Sequence, residues 1–125
     1  TTGGCTLRDF LRFGELMRTG GKSGVVKTAI MDRLIKGGDP SLFAKAEYPA
    51  PFMQGWSYKS QWWIRHKEGG NAALAKGAYG QLLYVDPTND LVIARFGSSQ
   101  IAPGHLNYPV VMPMIDAATA HLKQL

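Results

Sequence analysis

AALAKGAYGQLLYVDP, residues 72–87, is the segment around which the other elements of the chain are arranged. It predicts a strand that is interrupted at Gly77 and Gly80, resumes from Gln81 to Val85 and ends in a turn. The two glycines permit backbone conformations and close approaches that a side chain would prevent. Two interpretations fit the pattern. One is a β-hairpin with a bulge, which the local signals favour, and the other is a strand whose exposed N–H groups face a substrate.

The segments on either side predict an α+β fold, an antiparallel three-stranded meander with flanking helices. Alternating and apolar runs indicate strands at roughly 57–67, 73–86 and 91–97, with a turn at 68–71. Helical periodicity predicts helices from Leu7, over about 25–36, and from residue 109 or 110. The segment 39–55, rich in proline and aromatic residues, is interpreted as packed but irregular. Both outer strands would have open edges, which suggests missing strands or a partner chain.

Composition indicates one domain of ordinary hydrophobicity, with 125 residues of which 45% are hydrophobic. No apolar run approaches the ~20 residues of a membrane span, and we expect no membrane association. A single cysteine, Cys5, excludes an internal disulfide and leaves the compartment undecided. A cytoplasmic location is favoured over secretion. The net charge of +5 is spread along the chain, which favours a solvated surface. Because the chain opens with Thr1 and no signal pattern, we interpret it as processed or as a piece of a longer protein.

Side chains with catalytic or metal-binding chemistry form few recognisable patterns. The three histidines, His66, His105 and His121, lack metal-ligand spacing, and no phosphate-binding loop is present, so we expect neither a metal nor a cofactor. Ser23 with Lys27, and Ser41 with Lys45, are one residue too far apart for a Ser-x-x-Lys motif.

Tryptophan and basic residues alternate in the predicted first strand. Trp56, Trp62 and Trp63, together with Lys59, Arg65 and Lys67, could form a stacking platform for single-stranded nucleic acid. Packing of these tryptophans in the core is the favoured alternative, since tryptophan is common in cores.

Three segments resemble one enzyme family. Residues 3–14, GGCTLRDFLRFG, are similar to the segment that opens a helix in serine hydrolases of the β-lactamase and penicillin-binding-protein fold. The segment AKGAYGQ at 75–81, with YVDP at 84–87 and DLVI at 90–93, resembles the late active-site strand and following hairpin of these enzymes. Residues 37–40, GGDP, are also similar to one branch, the 6-aminohexanoate-dimer hydrolases and related esterases. The resemblance covers nearly the whole chain but only the C-terminal third or so of such an enzyme.

The resemblance implies amide or ester hydrolysis through an acyl-enzyme formed on the serine of a Ser-x-x-Lys motif. Residues 75–77 would occupy the third active-site motif, and the N–H of Ala78 would be the second oxyanion-hole donor. Lys76, Gly77, Tyr79 and Gly80 would contact the substrate. The lysine is not first in this motif, and the Ser-x-x-Lys and tyrosine motifs are missing, so the chain alone is expected to be inactive.

The sequence therefore predicts the C-terminal part of a β-lactamase-like serine hydrolase that acts on a small-molecule amide or ester. Its expected partner is the N-terminal part of the same enzyme, or a second copy through the open sheet edges. A non-catalytic binding or structural module is the first alternative, and a single-stranded nucleic-acid binder is the second. The hydrolase interpretation requires an extended backbone at 73–86 and an Ala78 N–H without a ladder hydrogen bond.

Overall fold

A computed structural model describes residues 4–46, 51–103 and 108–125. Two helices precede the sheet, one short helix leads into it, and one long helix follows it. The helices are α1 (Leu7–Arg18), α2 (Thr28–Lys36), α3 (Pro40–Phe43) and α4 (Tyr108–Leu122), and the strands are β1 (Ser57–Lys59), β2 (Trp62–Arg65), β3 (Ala72–Lys76), β4 (Leu82–Asp86) and β5 (Leu91–Arg95). Single 3-10 turns lie at Pro51–Met53 and Ala78–Gly80.

The five strands form one antiparallel sheet in the order β1-β2-β3-β4-β5, so every strand pairs with its neighbour in the chain. The α+β class and the antiparallel meander with flanking helices are confirmed. The predicted number of three strands is wrong, because the first two predicted strands are each a hairpin.

The first of these hairpins reverses the chain between β1 and β2 at Ser60 and Gln61. Both residues adopt positive φ angles, 51° and 66°. Two consecutive positive φ values are typical of the turns that match the twist of a two-residue hairpin. The turn places Tyr58 opposite Trp63, with ring centroids 4.9 Å apart. Tyr58 therefore lies on the same face of the sheet as Trp63.

The second hairpin reverses the chain between β3 and β4 at the two glycines. Gly77 N–H donates to the Gln81 carbonyl at 2.9 Å, and Lys76 pairs with Leu82. Tyr79 and Gly80 lie at φ 60° and 90°. Positive φ angles are uncommon for residues other than glycine, asparagine and aspartate. The predicted continuous extended backbone across 73–86 is wrong. The predicted hairpin with its turn after residue 86 is present as β4 and β5, but the glycines form a second turn, between β3 and β4, and not the expected bulge.

Both faces of the sheet are covered by apolar clusters. The face under α4 and the 3-10 turn at Pro51–Met53 holds Met53, Trp56, Ala72, Leu74, Leu82, Tyr84, Tyr108, Val111, Met112 and Ile115. The face under α1 and α2 holds Met17, Met31, Trp62, Ile64, Ala73, Leu83 and Val85. Burial on both sides explains why the central strands are apolar without alternation.

Helix α1 runs antiparallel to β5 across the second of these faces. Thr6 caps its N-terminus, since Asp9 N–H donates to Thr6 Oγ1 at 3.1 Å. Near its C-terminus Arg18 pairs with Asp90 at 2.6 Å, at the start of β5. At its centre a Cβ on Gly14 would lie 2.5 Å from Val92 Cγ1, so the absence of a side chain allows the helix to approach the strand.

The remaining elements adjust the predicted boundaries. Helix α2 begins at Thr28 rather than near 25. The segment 39–55 contains α3, whose first turn is capped by Asp39 accepting from Ser41 N–H at 2.8 Å. Residues 47–50 of that segment, and His105 in the predicted 98–108 loop, lie outside the described residues.

Candidate functional site

A cleft of about 440 Å³ opens beside the β3–β4 turn. The end of β3, the turn, the 102–103 segment and the start of α4 contribute its walls. The lining residues are Trp63, Lys76, Gly77, Ala78, Ala102, Pro103 and Tyr108. The cleft thus combines aromatic surface, one ammonium group and exposed backbone, which are groups that can bind and orient a small molecule.

The β3–β4 turn is held in place by the segment that follows β5. Tyr79 N–H donates to the Ala102 carbonyl at 3.1 Å, and the Tyr79 carbonyl accepts from Ser99 N–H at 3.1 Å. The Gln81 side chain bonds Gly97 twice, donating to its carbonyl at 2.6 Å and accepting from its N–H at 3.0 Å. These bonds fix the backbone that follows Ala78, and the bond from Gly77 N–H to the Gln81 carbonyl fixes the backbone before it.

The Ala78 amide lies at the exposed start of the turn. The N–H groups of Gly77, Tyr79 and Gln81 donate to backbone carbonyls, and within the described residues the Ala78 N–H has no such acceptor. A backbone N–H beside a cleft, on a turn fixed by its neighbours, can donate a hydrogen bond to an anionic or carbonyl oxygen of a ligand.

Lys76 extends from the end of β3 across the cleft wall. Its Nζ lies 4.6 Å from the centroid of the Trp63 ring and 5.8 Å from that of Tyr108. Burial lowers the pKa of Lys76 from its usual value. Among the described residues no carboxylate lies within ion-pair distance of it. The ammonium is therefore stabilised chiefly by the aromatic faces.

Tyr108, the first residue of α4, lines the cleft. It is buried, and its ring lies 4.6 Å from that of Phe52. Burial raises the pKa of its hydroxyl to about 12. The hydroxyl is therefore protonated and neutral near pH 7. Tyr108 contributes a polar aromatic wall to the cleft and does not act as a base.

The structure brings three of the five predicted site residues together in this cleft, namely Lys76, Gly77 and Ala78. Tyr79 lies on the outside of the turn with 49% of its surface exposed. Gly80 is buried below the turn, where its carbonyl accepts from Arg95 Nη1 at 2.5 Å. Their side of the turn supports the cleft instead of lining it.

Sequence reasoning missed the aromatic walls. The sequence pattern assigns Trp63 to the core or to a nucleic-acid platform, and it gives Tyr108 no role. Trp63, Lys76 and Tyr108 are far apart in the sequence, so no local pattern indicates that they line one cleft. The register Trp63↔Leu74 shows that Trp63 is opposite a strand residue two positions before Lys76.

Other chemistry-bearing side chains lie away from the cleft. Trp56 and Trp62 are only 4% and 8% exposed, so they offer no stacking platform. Ser57 Oγ lies 2.7 Å from His66 Nε2 and accepts from Gly38 N–H at 3.0 Å, but Ser57 has no exposed surface. This Ser–His pair is therefore a structural link. In the described part of the chain no group of three His, Cys, Asp or Glu side chains could hold a metal.

Comparison with known proteins adds the family context. No protein-family model matches the chain. It is 34% identical over 97 residues to the 6-aminohexanoate-dimer hydrolase of Paenarthrobacter ureafaciens, a match that covers 75% of this chain and 24% of that protein. The solved structure named "Putative 6-aminohexanoate-dimer hydrolase from Bacillus anthracis" superposes with a TM-score of 0.73 at 31% identity, covering 97% of this chain and 30% of that one. This chain is a relative of the 6-aminohexanoate-dimer hydrolases.

The resemblance predicted from residues 3–14, 37–40, 75–81 and 84–93 is thereby confirmed. The chain spans about a quarter to a third of the 6-aminohexanoate-dimer hydrolase relatives that it matches. Their names support a hydrolase of this type as the protein class to which the chain is related. No helix among the described residues is both long and apolar enough to span a bilayer.

Proposed function

We propose that this chain forms part of the active site of a serine hydrolase of the 6-aminohexanoate-dimer hydrolase type, which cleaves an amide or ester bond through an acyl-enzyme. In this proposal the Ala78 N–H is one of the oxyanion-hole donors. The observation that supports it is the Ala78 amide, which has no backbone acceptor among the described residues and belongs to an exposed residue on a fixed turn, beside a cleft, in a chain related to these hydrolases.

The physical reason is preorganisation. When a nucleophile attacks a carbonyl, negative charge develops on the carbonyl oxygen, and a backbone donor already in place stabilises it without reorganising. The bonds from Tyr79 to Ala102 and from Gln81 to Gly97 hold the Ala78 amide in such a place. Loss of one donor of this kind typically costs ~3 kcal/mol of barrier.

Gly77 and Lys76 are assigned to substrate binding. A Cβ on Gly77 would come within 3.2 Å of Gln81 Cβ, so glycine allows the two ends of the turn to lie close together. Gly77 lines the cleft beside Ala78 with backbone alone. Lys76 presents a positive charge in the same cleft. Because Ala75 rather than a lysine occupies the first position of the third motif, we assign Lys76 to positioning and not to proton transfer. Tyr79 and Gly80 would contribute indirectly, by holding the turn that positions the Ala78 amide.

The nucleophile must come from elsewhere in this proposal. The sequence contains no Ser-x-x-Lys motif, and the buried Ser57 cannot reach a substrate. The relatives are three to four times longer than the matched segment, which leaves room for a serine and its base. The chain by itself is therefore expected to show no hydrolysis.

A chimera tests this function. The segment of the Paenarthrobacter ureafaciens hydrolase that this chain matches is replaced by the corresponding residues of this chain, and hydrolysis of the 6-aminohexanoate dimer and of a p-nitrophenyl ester is measured. Ala78→Pro removes the proposed donor, and the extended backbone of Gly77, at φ −127° and ψ 174°, accommodates a following proline. Its kcat should fall by about 10²–10³.

Ala78→Gly is the matched control, because it keeps the N–H and should retain kcat within a few-fold. Circular dichroism of all three proteins checks that the fold is unchanged. Equal kcat values for Ala78→Pro and Ala78→Gly in a folded, active chimera would show that this amide is not an oxyanion donor.

A further inference from the structure

The ladder between β4 and β5 stops one hydrogen-bonded pair before the turn that carries Ala78. Its last pair places Leu82 opposite Arg95. Because the Gln81 carbonyl points to the β3 side of the hairpin, the alternation of antiparallel pairing directs the backbone groups of Leu82 toward β5. In a regular ladder the next such pair, two residues further along each strand, would exchange two bonds between Gly80 and Gly97.

The side chain of Gln81 makes both bonds to Gly97 in place of the Gly80 backbone. Its Oε1 accepts from Gly97 N–H at 3.0 Å, and its Nε2 donates to the Gly97 carbonyl at 2.6 Å. A carboxamide offers the same donor and acceptor as a peptide group, so it can replace one in a ladder. The Gly80 carbonyl accepts instead from Arg95 Nη1 at 2.5 Å.

This replacement allows the backbone of residues 78–80 to turn away from the sheet. Tyr79 and Gly80 adopt φ angles of 60° and 90°, which a strand cannot accommodate. A backbone pair between Gly80 and Gly97 would require Gly80 to continue the line of β4, and the turn that carries Ala78 would then shift. The side chain of Gln81 therefore satisfies Gly97 while leaving the turn in place.

Gly97 also lies directly against this turn. A Cβ on Gly97 would lie 2.8 Å from the Tyr79 carbonyl oxygen and 3.0 Å from that of Gly80. The segment that follows β5 therefore approaches the turn most closely at the residue that Gln81 holds. The Tyr79 backbone bonds two further residues of the same segment. The position of the turn thus depends on where Gly97 is held.

We propose that Gln81 is a positioning residue for the reaction, because its side chain takes the place of the Gly80–Gly97 backbone pair and so keeps the turn that carries Ala78 out of the sheet. This inference rests on the proposed function, in which the Ala78 N–H is an oxyanion donor. Gln81 is not among the described residues that line the cleft. Its removal should therefore slow the chemical step and leave substrate binding nearly unchanged.

The chimera with the Paenarthrobacter ureafaciens hydrolase gives the first test. Gln81→Met keeps a side chain of similar length but removes both bonds to Gly97. Its kcat on the p-nitrophenyl ester should fall about tenfold or more, with KM within about twofold of the parent value. Gln100→Met is the matched control, because Gln100 is exposed in the same segment as Gly97, and it should retain kcat. Urea unfolding of each variant gives the folded fraction to which kcat refers.

Amide hydrogen exchange in the 125-residue chain tests the positioning without the reaction. The Tyr79 N–H donates to the Ala102 carbonyl, and it should exchange about tenfold or more faster in Gln81→Met. The amide of Leu83, which is fully buried in β4, is the internal control and should keep its protection. Equal acceleration at both amides would show that Gln81 only stabilises the fold, and it would overturn the proposal. An unchanged rate at Tyr79 would overturn it as well.

Gly97→Ala tests the same contact from the opposite side. It keeps both backbone groups of residue 97, but its methyl group would meet the carbonyl oxygens of Tyr79 and Gly80. The turn should therefore shift, and kcat of the chimera should fall at least several-fold. An unchanged kcat would mean that the turn does not depend on residue 97, and it would overturn the proposal even where Gln81→Met does not fold.

The kinetics separate this inference from the proposed function. If Ala78→Pro loses activity and Gln81→Met keeps it, the Ala78 amide is a donor that Gln81 does not position, and only this inference is wrong. If Ala78→Pro and Ala78→Gly are equally active, the proposed function fails and the positioning role fails with it. A rise in KM with kcat unchanged in Gln81→Met would assign Gln81 to substrate binding and would also overturn the proposal.

Discussion

Asp86 is the most consequential buried charge among the described residues. It ends β4 with no exposed surface, and its carboxylate forms an ion pair with Lys67 at the end of β2. It also accepts from Asn89 N–H at 3.2 Å and from Asn89 Nδ2 at 2.8 Å, so it closes the turn into β5. Replacing Asp86 by alanine should therefore destabilise the fold more than most single changes.

The expected loss follows from these contacts. Hydrogen bonds to a charged group contribute ~1.5–3 kcal/mol each, and removing one partner of a fully buried pair costs ~3–5 kcal/mol. The Lys67 side chain retains 23% exposure, so water offsets part of the second cost. We expect Asp86→Ala to lower the free energy of unfolding by about 3 kcal/mol, a large share of the ~5–15 kcal/mol of a typical domain.

Urea unfolding followed by tryptophan fluorescence measures this loss. Asp86→Asn keeps one of the two acceptor oxygens used by Asn89 and should cost about half as much. A cycle with Lys67→Met separates the ion pair from the turn, and a coupling energy of about 1 kcal/mol or more is expected for groups in contact. A loss below about 0.5 kcal/mol for Asp86→Ala, the range of ordinary surface changes, would refute the reasoning.

Two further predictions concern packing and titration. Gly14→Val should lower the free energy of unfolding by about 1–3 kcal/mol, because its Cβ would meet Val92 Cγ1 at 2.5 Å; an unchanged urea midpoint in the purified variant would contradict the close approach of α1 to β5. Burial lowers the folded-state pKa of Lys76 below 10.5, so the unfolded chain binds more protons between the two values and stability rises with pH in that window. Lys76→Met should remove this rise, and parallel stability–pH curves for the two proteins would show that Lys76 is not desolvated.

The sequence was most informative where the residues of a feature lie close together in the chain. The N-terminal cap at Thr6, the apolar stripe of α1 through Gly14 and the turn beginning at Asp86 are all present in the structure. Each is a local device whose residues lie within a few positions of one another. The resemblance to the hydrolases could be recognised from the sequence because its motifs are likewise short and contiguous.

The hairpins were missed because their turns lack the usual signals. Ser60 and Gln61 adopt positive φ angles without a glycine or an asparagine, and alternation on both sides of them suggested one strand. Tyr79 is likewise at φ 60° between two glycines, which suggested a bulge. The walls of the cleft depend on strand register and on the position of α4, and neither is encoded in the spacing of Trp63, Lys76 and Tyr108.

The error at the second hairpin bears directly on the proposed oxyanion donor. β3 has β2 on one side and β4 on the other, so an amide within it points toward a neighbouring strand whichever way it faces. If the backbone continued as an extended strand through residue 78, with a strand on either side, the Ala78 N–H would bond to one of these strands. It could not then donate to a substrate oxygen. Because the chain leaves the ladder after the Lys76–Leu82 pair, the Ala78 amide emerges from the sheet while its neighbours remain bonded. A backbone donor that is both fixed and free is available at such a turn, and not within a central strand.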